Sequence, residues 1–245
     1  MMDILVRLVG RTSVSLVNYG KRRINIMLKD GEKGAILQQD EKTYAVVTHL
    51  PCGVITPAML RKLADVAEKY DCAAVKLTSA TRIALVGIKE DDIDFVWQDL
   101  GMKPGAAVGF CVRSVKVCPG TTFCRLGKQD SLSIGMKLDE KYHGMELPGK
   151  LKMGVSGCIN QCAETCIKDI GLVGKPKGWT VMAGGSGGVR PRLSEIVAEN
   201  LCTDDALEMV NKIVNYFRDH AKHGERIGQT IDRVGMETFR VALSL

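Results

Sequence analysis

The sequence has few aromatic residues and lacks a long apolar run. Phenylalanine, tyrosine and tryptophan make up 5% of its 245 residues, and no cluster of lysine and arginine interleaves with them, which argues against nucleic-acid binding. No apolar run approaches the roughly 20 residues that span a bilayer. In residues 1–20, apolar and polar residues alternate and do not form the continuous apolar stretch of a signal peptide. We therefore expect a cytoplasmic protein with no nucleic-acid or membrane partner.

The chain also shows no sign of a disulfide framework. It has nine cysteines, an odd number, and no feature of a secreted protein, so metal or redox chemistry is the better interpretation. Hydrophobic residues at 45% and charged residues at 25% are typical of a soluble globular protein. The formal net charge of +6 indicates either a mildly basic surface or a basic pocket for an anion or a polycarboxylate cofactor.

The apolar pattern divides the chain into an N-terminal extension and two α+β halves. The extension, residues 1–33, contains two strand-like runs, ILVRLV and RINIML. Residues 34–105 predict the order strand, helix, strand, strand, helix, with Thr56 as the cap of the first helix. Residues 106–245 predict two strands, a hairpin and several helices, one of them over 194–200.

Two pairs of cysteines stand out in the second half. Cys118 and Cys124 form C-x5-C in CPGTTFC, and Cys158 and Cys162 form C-x3-C in CINQC. Cys166 follows four residues later, and residues four apart share one face of a helix. The three last thiols could therefore be three ligands, two ligands and a bystander, or three core residues.

The spacing of the two pairs favours an iron–sulfur cluster. C-x5-C fits a zinc knuckle poorly, whereas a four-iron cluster accepts thiolates from irregular spacings. Each pair also lies in a glycine-containing loop, whose N–H groups can donate to cluster sulfides. A zinc site and buried, unliganded cysteines remain the alternatives at this point.

These motifs and their context resemble those of the siroheme- and [4Fe–4S]-containing sulfite and nitrite reductases. The resemblance rests on CPGTTFCRLGKQDS and LPGKLKMGVSGCINQCAETCIKDIGLVG, and extends to GVITP, TSATRIALVGI, GWTVMAGGSGGVRPR and ERIGQTIDRVGMETF. The chain is most similar to the small, single-repeat assimilatory-type sulfite reductases. This resemblance implies an α+β fold with a ferredoxin-like half, residues 34–105, followed by a siroheme- and [4Fe–4S]-binding half, residues 106–245.

The resemblance implies how the two cofactors are held. Cys118, Cys124, Cys158 and Cys162 match the cluster ligands, Cys162 also matches the thiolate that bridges to the siroheme iron, and Cys166 is spare. The residues expected to bind the cofactors are Arg113, Thr121, Thr122, Asn160, Gly184, Gly185, Gly187, Gly188, Arg190 and Arg192. Considered without the family, the glycine-rich loop could be a simple turn, and it does not fit the dinucleotide-binding template.

The resemblance also implies a cage of cationic side chains that binds an oxyanion and relays protons. Lys150 and Lys152 match the family's lysine pair, and strand alternation places both on one face, although a strand lysine is more often simply solvated. Arg82 is a third candidate. His49 occupies a position where relatives commonly carry arginine, so anion binding there should be weaker and pH-dependent.

The expected function is the six-electron reduction of sulfite to sulfide, or of nitrite to ammonia, with electrons from an external donor such as a ferredoxin. The alternatives are a non-catalytic siroheme and iron–sulfur protein and, more distantly, a structural zinc protein. Larger members of the family contain two tandem copies of this unit, and this chain has one. We therefore expect a homodimer, unless residues 1–33 cover the exposed face.

Overall fold

A computed structural model describes residues 28–244 of the chain. The predictions made for residues 1–27 lie outside the described residues. The described chain contains two sheets, each with its own hydrophobic core and helices. None of the helices in this range is long and apolar enough to cross a membrane.

The first half is an antiparallel sheet covered by two helices. Its elements are β1 (Ala35–Leu37), β2 (Tyr44–Val47), α1 (Pro57–Lys69), β3 (Ala74–Leu77), β4 (Ile83–Ile88) and α2 (Ile93–Leu100). The strands lie in the order β1-β2-β4-β3. As predicted, the Thr56 side chain accepts the Met59 N–H at 3.2 Å and so caps α1. Both helices bury an apolar stripe against the sheet.

The second half is a mixed sheet of the described strands β5 to β9 in sequence order. Its strands are β5 (Val112–Val117), β6 (Leu151–Ser156), β7 (Ile170–Lys175), β8 (Gly178–Ala183) and β9 (Glu195–Leu201). Its helices are α3 (Gly120–Phe123), α4 (Ser131–Tyr142), α5 (Thr203–His220), α6 (Ile227–Val234) and α7 (Met236–Ala242). The first three strands are parallel, and β7, β8 and β9 are antiparallel.

Two local predictions are wrong. Residues 195–201 form strand β9 instead of a helix, because they pair with β8 from Trp179 to Ala183. The segment that carries Cys158, Cys162 and Cys166 is a loop that ends in a short 3-10 helix, Thr165–Ile167, so the three thiols do not share a helical face. Gln161 and Glu164 have positive φ angles of 49° and 57°, which interrupt any helix there.

The parallel pairing of β5 and β6 brings the two cysteine motifs together. Val117 is paired with Val155, so both strands end at the same edge of the sheet, where Cys118 and Cys158 follow. The first half packs beside this edge, because the turn Pro51–Gly53 contacts β5 and α4. The site candidates therefore lie where the two halves meet.

Candidate active site

The four cysteines of the two motifs lie in two adjoining loops. Cys118 is buried at the end of β5, Cys124 and Cys158 are half-buried, and Cys162 is exposed. None of the cysteines within the described range forms a disulfide. The Gly157 N–H donates to the Cys118 sulfur at 3.1 Å, so a backbone amide of one motif already contacts a thiol of the other.

Glycines allow these loops to approach each other closely. A Cβ on Gly157 would stand 2.7 Å from the Gly120 Cα and 2.7 Å from the Gln129 carbonyl oxygen. In return, the N–H groups of Lys128 and Gln129 donate to the Gly157 carbonyl at 2.7 and 3.1 Å. Packing therefore explains Gly120 and Gly157, because only a residue without a side chain fits where the two loops meet.

An ion-pair network holds the loop that carries Cys162. The Glu164 carboxylate accepts hydrogen bonds from Lys116 on β5 at 2.7 Å and from Lys168 at 2.9 Å. The hydrogen bonds from these two lysines, Lys116 first, lower the pKa of Glu164 to about 2. The loop is thus tied to β5 on one side and to the segment before β7 on the other.

A small cavity of about 200 Å³ lies between the two halves and is lined by cations. Arg82 reaches it from the first half, and Arg113 and Lys152 reach it from the second, beside Thr78 and Ser114. Arg82 is buried, and burial together with the Arg113 guanidinium lowers its pKa. A site that assembles buried like charges is arranged to bind an anion.

A larger cavity of about 650 Å³ is bordered by the glycine-rich loop after β8. Its walls include Lys150, Gly184, Gly188, Arg190, Arg192 and Arg226. Gly185 packs instead against the carbonyl oxygens of Cys166 and Lys168, and Gly187 against Ile167. The glycine-rich loop therefore lies directly against the segment that follows Cys162.

Lys152 connects the two cavities electrostatically. Burial first, and then the charges of Arg226, Lys168, Arg113 and Lys150, lower the pKa of Lys152. Arg226 and Lys150 line the larger cavity, Arg113 lines the smaller one, and Lys168 is paired to the cysteine loop through Glu164. The cationic groups, the glycine loop and the cysteine motifs thus form one continuous region.

Two family models match the chain at these features. Residues 108–245 match the nitrite and sulphite reductase 4Fe-4S domain, and residues 36–103 match the nitrite/sulfite reductase ferredoxin-like half domain. The chain belongs to the nitrite and sulfite reductase family. The first of these two models spans the cysteine loops and the glycine loop, and the second spans Arg82.

Members of this family with similar sequences include both kinds of reductase. The chain is 42% identical over 216 residues to the assimilatory-type sulfite reductase of Nitratidesulfovibrio vulgaris, which covers 88% of this chain and 99% of that protein. It is 40% identical over 206 residues to the nitrite reductase [NAD(P)H] of Bacillus subtilis, covering 84% of this chain and 26% of that one. The chain therefore corresponds to a whole sulfite reductase but to about a quarter of the nitrite reductase.

Solved structures of the family share the fold. The NirA protein of Mycobacterium tuberculosis superimposes with a TM-score of 0.74 over 89% of this chain and 43% of that one, at 20% identity. A dissimilatory sulfite reductase I superimposes with a TM-score of 0.73 over 82% of this chain and 69% of that one, at 15% identity. These identities establish a common architecture and no more.

The two cysteine loops adjoin each other through glycine contacts. Among residues 28–244, no three His, Cys, Asp or Glu side chains are gathered as a single metal ion requires. A four-iron cubane is larger than a single ion and accepts thiolates from a wider circle. Two pairs of cysteines, with the Gly157 amide beside Cys118, are the kind of donor set that such a cluster would use.

Several predicted cofactor residues make other contacts. Thr121, Thr122 and Asn160 are exposed in the cysteine loops and line neither cation-rich cavity. The Thr122 hydroxyl donates to the Asp130 carboxylate at 3.1 Å. Arg192 is paired with Glu195 at 2.5 Å and with Asp232 at 2.9 Å, so its charge is largely compensated within the protein.

His49 does not line the cavity that Arg82, Arg113 and Lys152 share. Its Nε2 is 2.9 Å from the Asp139 carboxylate, and its ring stacks on His143 with the centroids 3.5 Å apart. These three residues border a separate cavity of about 630 Å³, which is also lined by Lys103 and Glu140. In this arrangement His49 links the first half to helix α4 of the second.

Sequence reasoning did not single out Arg226 or Asp169. Arg226 begins α6 and lines the larger cavity, and its guanidinium binds the fully buried Asp169. Arg226 lies in the sequence ERIGQ, directly before a short helix. A residue at that position is usually interpreted as a helix cap and not as a site residue. In the sequence, Asp169 resembles an ordinary solvent-exposed aspartate before a strand. Its burial depends on the tertiary packing and cannot be predicted from the neighbouring residues.

Proposed function

We propose that this chain is a siroheme-dependent sulfite reductase that reduces sulfite to sulfide with electrons from an external donor. The observation that carries the proposal is the cationic group of buried Arg82 and half-buried Arg113 and Lys152, in the same region as two glycine-joined cysteine loops. The similarity to an assimilatory-type sulfite reductase, 99% of which is matched by this chain, supports the same conclusion.

The residues that would hold the two cofactors lie in the second half, in the cysteine loops and around the larger cavity. Cys118, Cys124, Cys158 and Cys162 would hold the [4Fe–4S] cluster, with Cys162 as the bridging thiolate. Arg113, Lys150, Arg190 and the glycine loop would neutralise the carboxylates of siroheme, because Arg and backbone N–H groups bind carboxylates well. When bound, this pair of cofactors supplies the electron transfer to the substrate.

The protein's own task is then to bind and protonate an oxyanion. Arg82 and Lys152 would hold the substrate oxygens by charge-assisted hydrogen bonds. Reduction of each S–O or N–O bond consumes protons, since the oxygen leaves as water. Lys152, whose pKa is lowered by burial and by its cationic neighbours, is suited to deliver a proton from its Nζ.

The first experiment is spectroscopic. The chain is produced in cells that make siroheme, purified without oxygen and examined for visible absorption, and its turnover of sulfite and nitrite is then measured with a reduced dye. Siroheme bands and sulfide production support the proposal. Siroheme bands without turnover would instead favour a non-catalytic cofactor protein, and the absence of any chromophore would overturn the proposal.

Nitrite is the second candidate substrate. The nitrite reductase of Bacillus subtilis is nearly as similar to this chain over the matched region as the sulfite reductase is. Comparing kcat/KM for the two anions in the same preparation decides between them. A preference for nitrite would change the named substrate and leave the cofactor assignment intact.

The chain is also proposed to divide at about residue 105 and to act as a cytoplasmic homodimer. Strand β3 supports the dimer, because it lies at the edge of the first sheet and all four of its residues are exposed. Val75 and Leu77 on this strand are 52% and 71% exposed. An apolar sheet edge pairs readily with an identical edge about a twofold axis.

A further inference from the structure

Asp169 is a fully buried carboxylate in the middle of the cationic region. It lies just before β7 and has 0% of its side chain exposed. The Arg226 guanidinium binds it from one side, with Nε 2.8 Å from Oδ1 and Nη2 2.5 Å from Oδ2. The Lys152 backbone N–H donates to Oδ2 at 2.7 Å from the other side. A carboxylate with these partners is held in one orientation.

Asp169 and Arg226 also bond to the glycine-rich loop after β8. The third nitrogen of Arg226, Nη1, donates to the Ser186 hydroxyl in the glycine loop at 2.9 Å. The carbonyl oxygen of Asp169 accepts the Gly184 N–H at 2.8 Å. Strand β6, the glycine loop and the start of α6 therefore share one hydrogen-bonded centre.

The packing around this centre leaves little freedom. A Cβ on Gly228 in α6 would stand 2.4 Å from the Gly184 carbonyl oxygen, and a Cβ on Gly149 would stand 1.8 Å from the Glu225 carbonyl oxygen. Lys150 and Arg226 consequently border the same cavity from two different elements. The Asp169–Arg226 pair is the polar contact that joins these elements at depth.

We propose that Asp169 is a positioning residue that aligns Lys152 on β6 and Arg226 on α6 toward the substrate and cofactor cavity. Arg226 thereby becomes part of the wall that binds anionic groups, through a guanidinium fixed in place by Asp169 and Ser186. Asp169 itself does not touch the substrate. This inference rests on the proposed function, since it concerns the same anion-binding site.

Burial raises the pKa of Asp169, but the Arg226 guanidinium, bound to both carboxylate oxygens, favours the ionised form, and this negative charge offsets part of the positive charge around Lys152. The charged groups that face Lys152 are Arg226, Lys168, Arg113, Lys150 and Asp169. Replacing Asp169 with asparagine preserves its size and one acceptor oxygen but leaves the cations uncompensated. The charged form of Lys152 is then less stable, so Lys152 should lose its proton at a lower pH.

The test compares the holoenzyme with Asp169→Asn, Asp169→Glu and Arg226→Lys. Sulfite binding is followed by titration of the visible spectrum between pH 6 and pH 9, together with siroheme content and the KM and kcat for sulfite. For Asp169→Asn we expect at least a tenfold weaker sulfite affinity, and an alkaline loss of binding that moves down by about one pH unit. Asp169→Glu should recover part of the affinity. Asp99→Asn, which removes an exposed carboxylate paired to Lys69 in the first half, is the matched control.

Arg226→Lys keeps the charge and removes the fork that clasps Asp169, so it decides the matter if Asp169→Asn does not fold. We expect it to raise KM more than it lowers kcat, because a lysine cannot bind Asp169 and Ser186 together. Wild-type affinity and pH profile in the folded variants would overturn the inference. A wild-type chain without siroheme or turnover would instead overturn the proposed function, so the two failures are distinguishable.

Discussion

At the residue scale, Cys162 and Cys166 occupy one loop but have different surroundings. Cys162 is exposed two residues before the Glu164 ion-pair network, whereas the Cys166 carbonyl oxygen accepts the backbone N–H and the hydroxyl of Ser194 at 2.8 and 3.1 Å. Cys166 thus supports the chain near β9 through its backbone. Its thiol is not needed for those bonds.

We therefore expect Cys166→Ala to keep its iron and sulfide, and Cys162→Ala to lose the coupling between cluster and siroheme. Analysis of iron, acid-labile sulfide and the visible spectrum measures both. Because Cys166→Ala leaves the backbone bonds to Ser194 intact, it also controls for damage to the loop. Loss of the cluster in Cys166→Ala, with retention in Cys162→Ala, would reverse the assignment.

Lys152 offers a second test among single residues. Replacing it with methionine removes the charge aimed at the substrate but keeps most of the apolar side chain. Turnover should fall by about 100-fold, since such a group stabilises charge in a site removed from water. Siroheme and iron content should stay near that of the wild type. Lys177→Met, in the exposed turn between β7 and β8, is the control, and an equal loss of cofactor and turnover in Lys152→Met would show a cofactor-holding role instead.

The environment of His143 indicates how the free energy of unfolding should depend on pH. Burial first, and then the stacked His49, lower the pKa of His143 from 6.5 to about 4. Between these values the unfolded chain binds more protons than the folded one, so the free energy of unfolding falls as the pH drops from 6.5 to 4. Allowing for access of water to the ring, the loss should be on the order of 2 kcal/mol.

His143→Gln should remove this part of the acid sensitivity, because glutamine can still accept the Ala106 N–H that now bonds to the imidazole at 3.3 Å. Denaturant unfolding of both proteins at pH 4, 5 and 6.5 measures the difference. An identical pH dependence in the two proteins would show that this ring does not titrate in that range. His49→Gln belongs in the same series, since its contact with Asp139 joins the halves.

At the scale of elements, the two cysteine loops depend on glycine where β6 ends. Gly157→Ala would place a methyl group 2.7 Å from the backbone of Gly120, which has no side chain to move away. We expect the loops to separate. The free energy of unfolding should fall by about 1–3 kcal/mol, which is the usual cost of overpacking. The cluster content should fall in parallel, as measured by iron analysis.

The control at this scale is Gly101→Ala at the end of α2. Gly101 has a positive φ of 59°, and a Cβ there would meet nothing within 4 Å among the described residues. This substitution should lower stability by about 1 kcal/mol through backbone strain and leave the cluster in place. Equal cluster loss in both variants would point to general destabilisation instead of loop separation.

For the whole molecule, strand β3 is the edge through which we propose that two copies pair. If two copies pair through this edge, Leu77→Lys should yield a mass near one chain, because a buried lysine in that interface would be desolvated. Phe95→Lys on α2, a comparably exposed apolar site, should leave the mass unchanged. Light scattering of the cofactor-loaded proteins measures both masses.

A wild-type mass near one chain would contradict the dimer. The first 33 residues would then be the segment expected to cover β3, and their deletion should provoke association. The apolar area of β3 is worth covering in either case, since burial contributes about 25 cal/mol per Å². In the dimer, by contrast, the same deletion should leave the mass near that of two chains.

The elements that local chemistry specifies could be predicted from the sequence. Thr56 and Pro57 marked the start of α1, the glycine and proline turn marked the hairpin of β7 and β8, and cysteine spacing with its flanking residues marked the family and its cluster motifs. These features depend on neighbours a few residues away along the chain. They can be read without knowing the fold.

Features that depend on distant partners could not be predicted in this way, because they arise only when the chain is folded. Residues 195–201 became a strand because the edge of β8 was free to pair, which outweighed their helical composition. His49 contacts Asp139 on α4 and stacks on His143 just after it, and it does not line the cavity of Arg82, Arg113 and Lys152. Asp169 became the buried partner of Arg226 across 57 residues of sequence, because packing of α6 against the glycine loop brought the two together.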